Sequence, residues 1–594
     1  MSRIRINSIE IMNYRSFGDS QDFVFPNADY KKPIAIVGYN NTGKTNLMNS
    51  ILFALQVNFV SKDTFTINDF HNRNIDNVPG ILLNAISSVE TKFDGVKQAN
   101  LTGHHFLNIL TDGDVIEGSS IKSLNSFELN EYGKEDLNYQ AFGATRYFNI
   151  FYINFHNIKE EIVTQKTSWG NLKSFLGKHI QKIVETDVSM AEKKERFEQR
   201  VNRSTKKVLE DSNLEKFIDL IRKNYVTNLR NDDCTVDFGL PNYEDIFLKM
   251  MFKIGLNGDK DNLVPIDHFG DGYISMFVMA VIQAIAESNT DDRCLFLFEE
   301  PESFLHENHQ EYFYKTVLCG LSEKGHQVIY TTHSDKMIDP FDTKGLIRLE
   351  MDEKNQTVKK YNNVAEFNYE EVDEDTGEVI NYSRYNEFIK TIEPNLNRML
   401  FSRKVILVEG PNDVLVYKYA IKQKVLQFIA DDATIENKEQ YADAYMNFEN
   451  ISIVCHHGKG TANYLIELCK HFSIDYFVIN DWDFDEADLL ISEVAGFSTL
   501  ADLKADTIYI ASDKKAMITT NWNLINASGI DNIHFNVKKL ETVIGYSSID
   551  KSSIAIWELL NSGSFEFDEQ LFPEKLETFI GLRNDKEAEE LEEE

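Results

Sequence analysis

Two sets of residues in this sequence have the types and spacing to do chemistry. The first is Gly38-Tyr39-Asn40-Asn41-Thr42-Gly43-Lys44-Thr45, which fits the phosphate-binding loop G-x-x-x-x-G-K-[ST] at every fixed position. Gly38 and Gly43 let backbone N–H groups, including those of Asn40, Asn41 and Thr42, close around phosphates at a helix N-terminus. Lys44 would reach the β- and γ-phosphates, and the Thr45 hydroxyl would face Mg²⁺. About 250 residues on, the apolar run Cys294–Phe298 ends in Glu299-Glu300. Here Glu299 would hold Mg²⁺ through water and Glu300 would act as general base on the attacking water. The second set is four carboxylates. Glu409 and Asp413 come from Glu409-Gly410-Pro411-Asn412-Asp413, and Asp481 and Asp483 from Asp481-Trp482-Asp483. Hard oxygen ligands gathered in this way hold divalent cations.

The elements that must position these groups read as alternating strands and helices. Pro33–Val37 is a short apolar strand before the loop, and Asn46–Leu55 carries apolar residues at helical spacing. Gln327–Thr331 is another buried strand, ending in Thr331-Thr332-His333-Ser334. Lys404–Val408 and Tyr476–Asn480 are apolar strands that deliver the carboxylates at their C-terminal ends, where open α/β sheets bind ligands. Pro411 suits the first turn of a helix, which puts Asp413 about one turn beyond Glu409. Residues i and i+2 of a strand share a face, so extended backbone would bring Asp481 and Asp483 to one site. Arg3–Met12 alternates as a half-buried strand, and 146–155 is an aromatic strand. The stretch 352–398, rich in Asp, Glu and Tyr, reads as a linker. Residues 158–230 are helical, and from Lys166 to Lys207 eleven Lys/Arg face five Asp/Glu. That basic island is either a solvated helix face or a surface for phosphate contact or dimerisation.

The chain has 594 residues, 42% hydrophobic, and a formal net charge of −34. This length supports several globular cores, and the charge argues against a general nucleic-acid coat while leaving room for a local basic groove. The five cysteines are scattered without C-x-x-C spacing, which fits reduced thiols in a cytoplasmic protein. No apolar run approaches the ~20 residues needed to span a membrane, and no signal peptide is evident.

Strand, Asn13-Tyr14-Arg15-Ser16-Phe17, second strand and P-loop resembles the opening of SMC, RecF and ABC ATPases. The resemblance places Arg15 near the nucleotide phosphates; read by itself, Arg15 is a surface arginine beside an aromatic. Asp69-Phe70-His71 falls either on a nucleotide-sensing loop or on an ordinary one. His333 corresponds to the histidine that senses the γ-phosphate. Gly270 and Gly272, at the head of an apolar helix, stand where the ABC signature would cap a γ-phosphate in trans, although the segment departs from L-S-G-G-Q. The E-G-x-x-D and D-x-D pair, about seventy residues apart, resembles the Toprim domain of topoisomerases, primases and OLD (overcoming lysogenisation defect) nucleases. On that pattern His457-Gly458-Lys459-Gly460 matches a glycine-containing turn, Glu541 a further metal ligand, and Lys551 a transition-state-stabilising lysine.

An SMC-like ATPase followed by a Toprim domain is the arrangement of the OLD family, which includes the nuclease subunit of the Gabija antiphage system. The resemblance covers nearly the whole chain in order. It implies an α/β chain: an ABC/RecF-like ATPase domain (1–157 and 231–398) interrupted by a helical dimerisation region (158–230), then a Rossmann-like Toprim domain (399–594). It implies an ATP-regulated DNA endonuclease, nicking or cleaving with Mg²⁺ or Mn²⁺, that serves antiphage defence as a homodimer or higher homo-oligomer. The defence partner would be a helicase, or a reverse transcriptase with its reverse-transcribed DNA as in some retrons. The alternative is a RecF/SMC-like ATP-dependent DNA clamp or sensor with a non-catalytic Toprim domain. A topoisomerase- or primase-like activity lacks a catalytic-tyrosine context and a zinc motif.

Overall fold

The computed structural model describes residues 3–55, 67–74, 77, 79–88, 105–111, 128–130, 133–135, 149–158, 188–210, 212, 215–216, 219–220, 223, 253–254, 263–265, 268–288, 293–372, 379–393, 396–485, 487–546, 552–563 and 565–583. In chain order the elements that matter are β1 (Arg3–Met12), β2 (Gln21–Val24), β3 (Ile34–Val37), α1 (Lys44–Ala54), β4 (Gly80–Ser88), β5 (His105–Thr111), β6 (Ile150–Asn154), α2 (Val188–Leu209), α3 (Asp271–Ser288), β7 (Leu295–Glu299), β8 (Gln327–Thr331), β9 (Leu346–Met351) and β10 (Thr357–Asn362). They continue with α4 (Asn386–Ile392), β11 (Lys404–Val408), α5 (Pro411–Phe428), β12 (Ile451–Cys455), α6 (Lys459–His471), β13 (Asp475–Asp481), α7 (Lys515–Ser528), β14 (Ile533–Asn536) and α8 (Leu540–Val543).

Three sheets carry the fold. β2-β1-β4-β5 is an outer sheet, with β1 antiparallel to β2 and β4. The central sheet has the order β10-β9-β3-β8-β7-β6, and all its strands run parallel except the edge strand β10. Every residue of β3, β7 and β8 is buried. A sheet covered on both faces demands such unbroken apolar runs, and this is why they stand out in the sequence. The register aligns Glu299 with Thr331 and with Asn154, and Thr331 with Ile36. The strand ends that follow therefore open onto one edge, beside the loop after β3. The third sheet, β12-β11-β13-β14, is wholly parallel.

Several expectations meet a different outcome. The stretch 352–398 is not simply a linker: β10 is the edge strand of the central sheet, and Thr357 packs against the phosphate loop. Its polar composition suits an edge strand, where one side of the ladder faces solvent. Of the aromatic strand expected over 146–155, residues 146–148 lie outside the described residues, and 150–154 form the strand. In the basic island, Val188–Leu209 is one helix with exposed charged residues; residues 166–187 lie outside the described residues.

The two halves of the chain pack together. One cluster of buried apolar residues runs from Ala35 and Val37 of β3, through β7 and β8, to Leu407, Val478 and Phe535 of the C-terminal sheet. Arg348 of β9, almost wholly buried, donates to the carbonyls of Leu400, Ser402, Phe472 and Ser473 and pairs with Glu350.

Candidate nucleotide and metal sites

The loop after β3 is shaped by residues in left-handed or otherwise glycine-favouring conformations. Gly38 has φ 154°, Asn41 65° and Gly43 90°. A Cβ on Gly43 would collide with Thr357 Oγ1, and one on Gly38 with the Leu349 carbonyl. Both positions therefore need glycine for conformation and for space. Lys44 is buried and curls onto its own loop, its Nζ donating to the carbonyls of Gly38 (2.8 Å) and Tyr39 (2.7 Å). Burial pulls its pKa down to about 8, against the opposing pull of Glu300 and Glu302. Among the described residues no carboxylate lies within ion-pair distance of it. A buried cation beside free strand ends, at a helix N-terminus, suits the phosphates of a nucleotide. Thr42 is buried with its hydroxyl on the Tyr39 carbonyl (2.9 Å), whereas Asn40, Asn41 and Thr45 are exposed.

Opposite the loop, β7 ends in two carboxylates with different surroundings. Glu299 is buried and accepts from Tyr152 Oη (2.6 Å) and Asn154 Nδ2 (3.1 Å), both from β6. Glu300 sits at φ 46°, with His333 Nε2 at 3.4 Å from its Oε1. That hydrogen bond to His333 holds the Glu300 carboxyl below its usual range, despite partial burial. Glu302 does not stand out in the sequence. Its Oε1 accepts from the His333 backbone N–H (2.6 Å), and its Oε2 is buried with no close hydrogen-bond partner among the described residues. Burial raises its pKa. Lys44, Glu300, Glu302 and His333 thus meet in one cleft. Arg15 lies at the outer side of the helix start: Nε is 2.8 Å from Asp69 Oδ1 and Nη1 3.2 Å from Asn46 Oδ1. The 69–71 loop clamps the same turn, with His71 Nδ1 at 2.8 Å from the Arg15 carbonyl oxygen. Gly270 and Gly272 open α3, and Gly272 packs against the Phe304 carbonyl just beyond the Glu300 turn.

The C-terminal carboxylates gather at the carboxyl edge of the third sheet. Glu409 follows β11, and Asp413, in the first turn of α5, accepts from the Gly410 N–H (3.0 Å). Asp481 ends β13 and accepts from the Leu540 N–H (2.8 Å), which brings α8 and its buried Glu541 to the same edge. Burial, then the charges of Asp481 and Glu409, pushes Asp413 up to about 7. Burial, then Glu409, lifts Asp481 to about 7, with Asp483 and Glu541 adding to it. Among the described residues no lysine or arginine pairs with Glu409, Asp413 or Asp481. Carboxylates crowded together without a cation fit divalent metal ions.

Asp483 reaches this edge by another route than alternation. β13 stops at Asp481, and Asp483 is left-handed at φ 67°. A turn therefore places it, held by its N–H on the Lys538 carbonyl (2.9 Å) and by Lys459 Nζ on Oδ2 (2.5 Å). Lys459 also donates to Asn521 Oδ1 (2.8 Å). Asn480 Nδ2 lies 3.4 Å from Glu409 Oε2, while its Oδ1 meets His456 Nε2 at 3.1 Å. Lys459, Asn480 and His456 are the supporting groups that spacing alone does not single out. Lys551 lies outside the described residues.

Comparison with known proteins bears on both sites. Residues 115–338 match the model of an AAA ATPase domain. Residues 400–483 match that of an overcoming lysogenization defect protein-like TOPRIM domain. The chain joins an AAA ATPase domain to an OLD-like TOPRIM domain. The TOPRIM match contains Glu409, Asp413, Asp481 and Asp483, while the phosphate loop precedes the ATPase match. The chain is 28% identical over 234 residues to a protein named OLD nuclease from Thermus scotoductus, a match covering 38% of each chain. It is 23% identical to the Old nuclease of Escherichia phage P2, covering 84% of this chain and 80% of that one. It is 21% identical to endonuclease GajA of Bacillus cereus, covering 71% and 68%. Among solved structures, an SMC head bound to the C-winged helix domain of ScpA covers 60% of this chain and 97% of its own at 16% identity, with a TM-score of 0.30. An ATPase domain and a TOPRIM domain imply use of a nucleotide and a divalent metal. Among the described residues no helix is long and apolar enough to cross a membrane.

Proposed function

We propose that this protein is an ATP-regulated, divalent-metal-dependent DNA endonuclease, nicking or cleaving, that acts as an antiphage effector and works as a homodimer or higher homo-oligomer. The observation that carries the reading is the carboxylate edge, where burial and mutual repulsion lift Asp413 and Asp481 to about 7. The names of the relatives, nuclease in each case, support the same reaction. In it, Glu409, Asp413, Asp481, Asp483 and Glu541 hold Mg²⁺ or Mn²⁺, which would activate the attacking water and stabilise the leaving oxygen. Asn480 orients Glu409, and Lys459 holds the turn that carries Asp483. Lys551 is the candidate for stabilising the charge that develops on the phosphate.

In the ATPase domain, Lys44, the loop amides and Arg15 bind ATP, with Thr45 and Glu299 facing its Mg²⁺. Glu300 takes the proton of the attacking water, and His333 reports on the γ-phosphate. Gly270 and Gly272 would complete the site of a second copy. The test incubates the full-length protein with supercoiled and linear DNA, with Mg²⁺ or Mn²⁺, with and without ATP. Cleavage is expected from wild type and its loss from Asp481→Ala, while Lys44→Ala changes only the response to ATP. Undiminished cutting by Asp481→Ala would place the metal site elsewhere.

A further inference from the structure

Outside both sites, three unlike ligand groups converge where the two halves of the chain meet. Glu393 follows α4, at the end of the segment that joins the central sheet to the C-terminal one. Cys455 ends β12, beside Val408 of β11, and His457 lies in the turn before α6. One ligand atom from each falls within 4.8 Å of the others, and His457 Nε2 lies 3.3 Å from Glu393 Oε2. Four ligands set about 2.0–2.3 Å from an ion in a tetrahedron lie roughly 3.3–3.8 Å apart, so this nitrogen–oxygen spacing is that of a tetrahedral edge. Glu393 and Cys455 are buried, while His457 is exposed to solvent, from which water can supply a fourth ligand. Both buried residues line a groove of 570 Å³, a route of entry.

We propose that Glu393, Cys455 and His457 form a binding site for a transition-metal dication of the zinc class, separate from the carboxylate edge. Thiolate, imidazole and carboxylate together select a borderline-soft ion, whereas Mg²⁺ prefers oxygen ligands throughout. The site has a structural consequence. His457 is held at φ 56° in a turn whose neighbours serve the carboxylate edge: His456 on Asn480, and Lys459 on Asp483. An ion bound here ties the connecting segment to that turn, and so to the groups that orient Glu409 and Asp483.

Cobalt(II) serves as the probe, because its bond to a thiolate gives a charge-transfer absorbance in the near ultraviolet that carboxylate sites lack. Chelator-stripped full-length protein titrated with Co²⁺ is expected to gain that absorbance, saturating at one ion per chain and displaced by Zn²⁺. Glu393→Gln weakens binding at least about tenfold. Cys455→Ser abolishes the band; should that buried substitution disturb folding, His457→Ala at its exposed position gives the same reading. Asp481→Ala keeps the band, which separates this site from the carboxylate edge. No saturable band in wild type, a band that survives Cys455→Ser, or one lost in Asp481→Ala overturns the proposal. The first outcome would leave Glu393 and His457 as a simple hydrogen-bonded pair beside an inert thiol.

Discussion

Burial and the neighbouring carboxylates push Asp413 and Asp481 up to about 7, from the ~3.9 of a free aspartate. The sign of the consequence follows from proton binding. Between about pH 4 and 7 the folded chain holds protons that the unfolded chain has lost. The metal-free protein therefore keeps this contribution to stability at low pH and loses it as pH rises through about 7. A divalent ion must displace the same protons, so Mn²⁺ should bind at least about tenfold more tightly at pH 8 than at pH 6. Calorimetric titration at the two pH values measures this, and equal affinities would remove these two groups as ligands. At the other site the hydrogen bond from His333 holds Glu300 low, so it is ionised, the form that its proposed role as general base requires. Glu300→Gln should cut ATP hydrolysis by about 10²–10⁴-fold and leave nucleotide binding intact. Single-turnover hydrolysis beside a binding titration separates the two effects. From sequence, Glu299, Glu300, Glu409 and Asp413 are candidates for these roles because each lies at, or within a few residues of, the end of an apolar run. Glu302 is different, since its partner, the backbone N–H of His333, lies 31 residues later in the chain.

At the scale of elements, the phosphate loop depends on a strand that composition disguised. Gly43 stands at φ 90° with Thr357 of β10 over its α-carbon. Gly43→Ala should cost roughly 1–3 kcal/mol from backbone strain and more from the clash. Gly545 provides the control: at φ 70° no described residue lies near the position of an added Cβ, so Gly545→Ala should cost only the strain, roughly 1–3 kcal/mol. Denaturant midpoints of the two variants compare these costs, and equal shifts would show that Thr357 yields without penalty. The turn after β13 teaches a similar lesson. The D-x-D spacing located both carboxylates, yet Asp483 arrives through a left-handed residue and a lysine from α6 rather than through strand alternation.

For the whole molecule, the question is how the ATP site and the carboxylate edge are joined. Arg348 pairs in register with Val37, the residue before the phosphate loop, and its guanidinium holds four carbonyls of the C-terminal half. Removing it would leave Glu350 largely buried beside a more distant Lys360 and strip the donors from those carbonyls. Arg348→Ala should therefore destabilise the protein by about 3 kcal/mol and expose the junction to protease. A variant as stable and protease-resistant as wild type would show that the apolar cluster alone joins the halves.

The sequence by itself determined the phosphate loop, the acidic end of β7, both carboxylate motifs and the parallel α/β character. Each rests on a contiguous stretch whose apolar run, glycine or proline acts locally. Only the tertiary structure decided that Thr357 closes over Gly43, that Arg348 clasps the two halves, and that Lys459 and Glu393 face residues far away in the chain. Those contacts depend on strand order and register, which bring together groups that no local spacing relates.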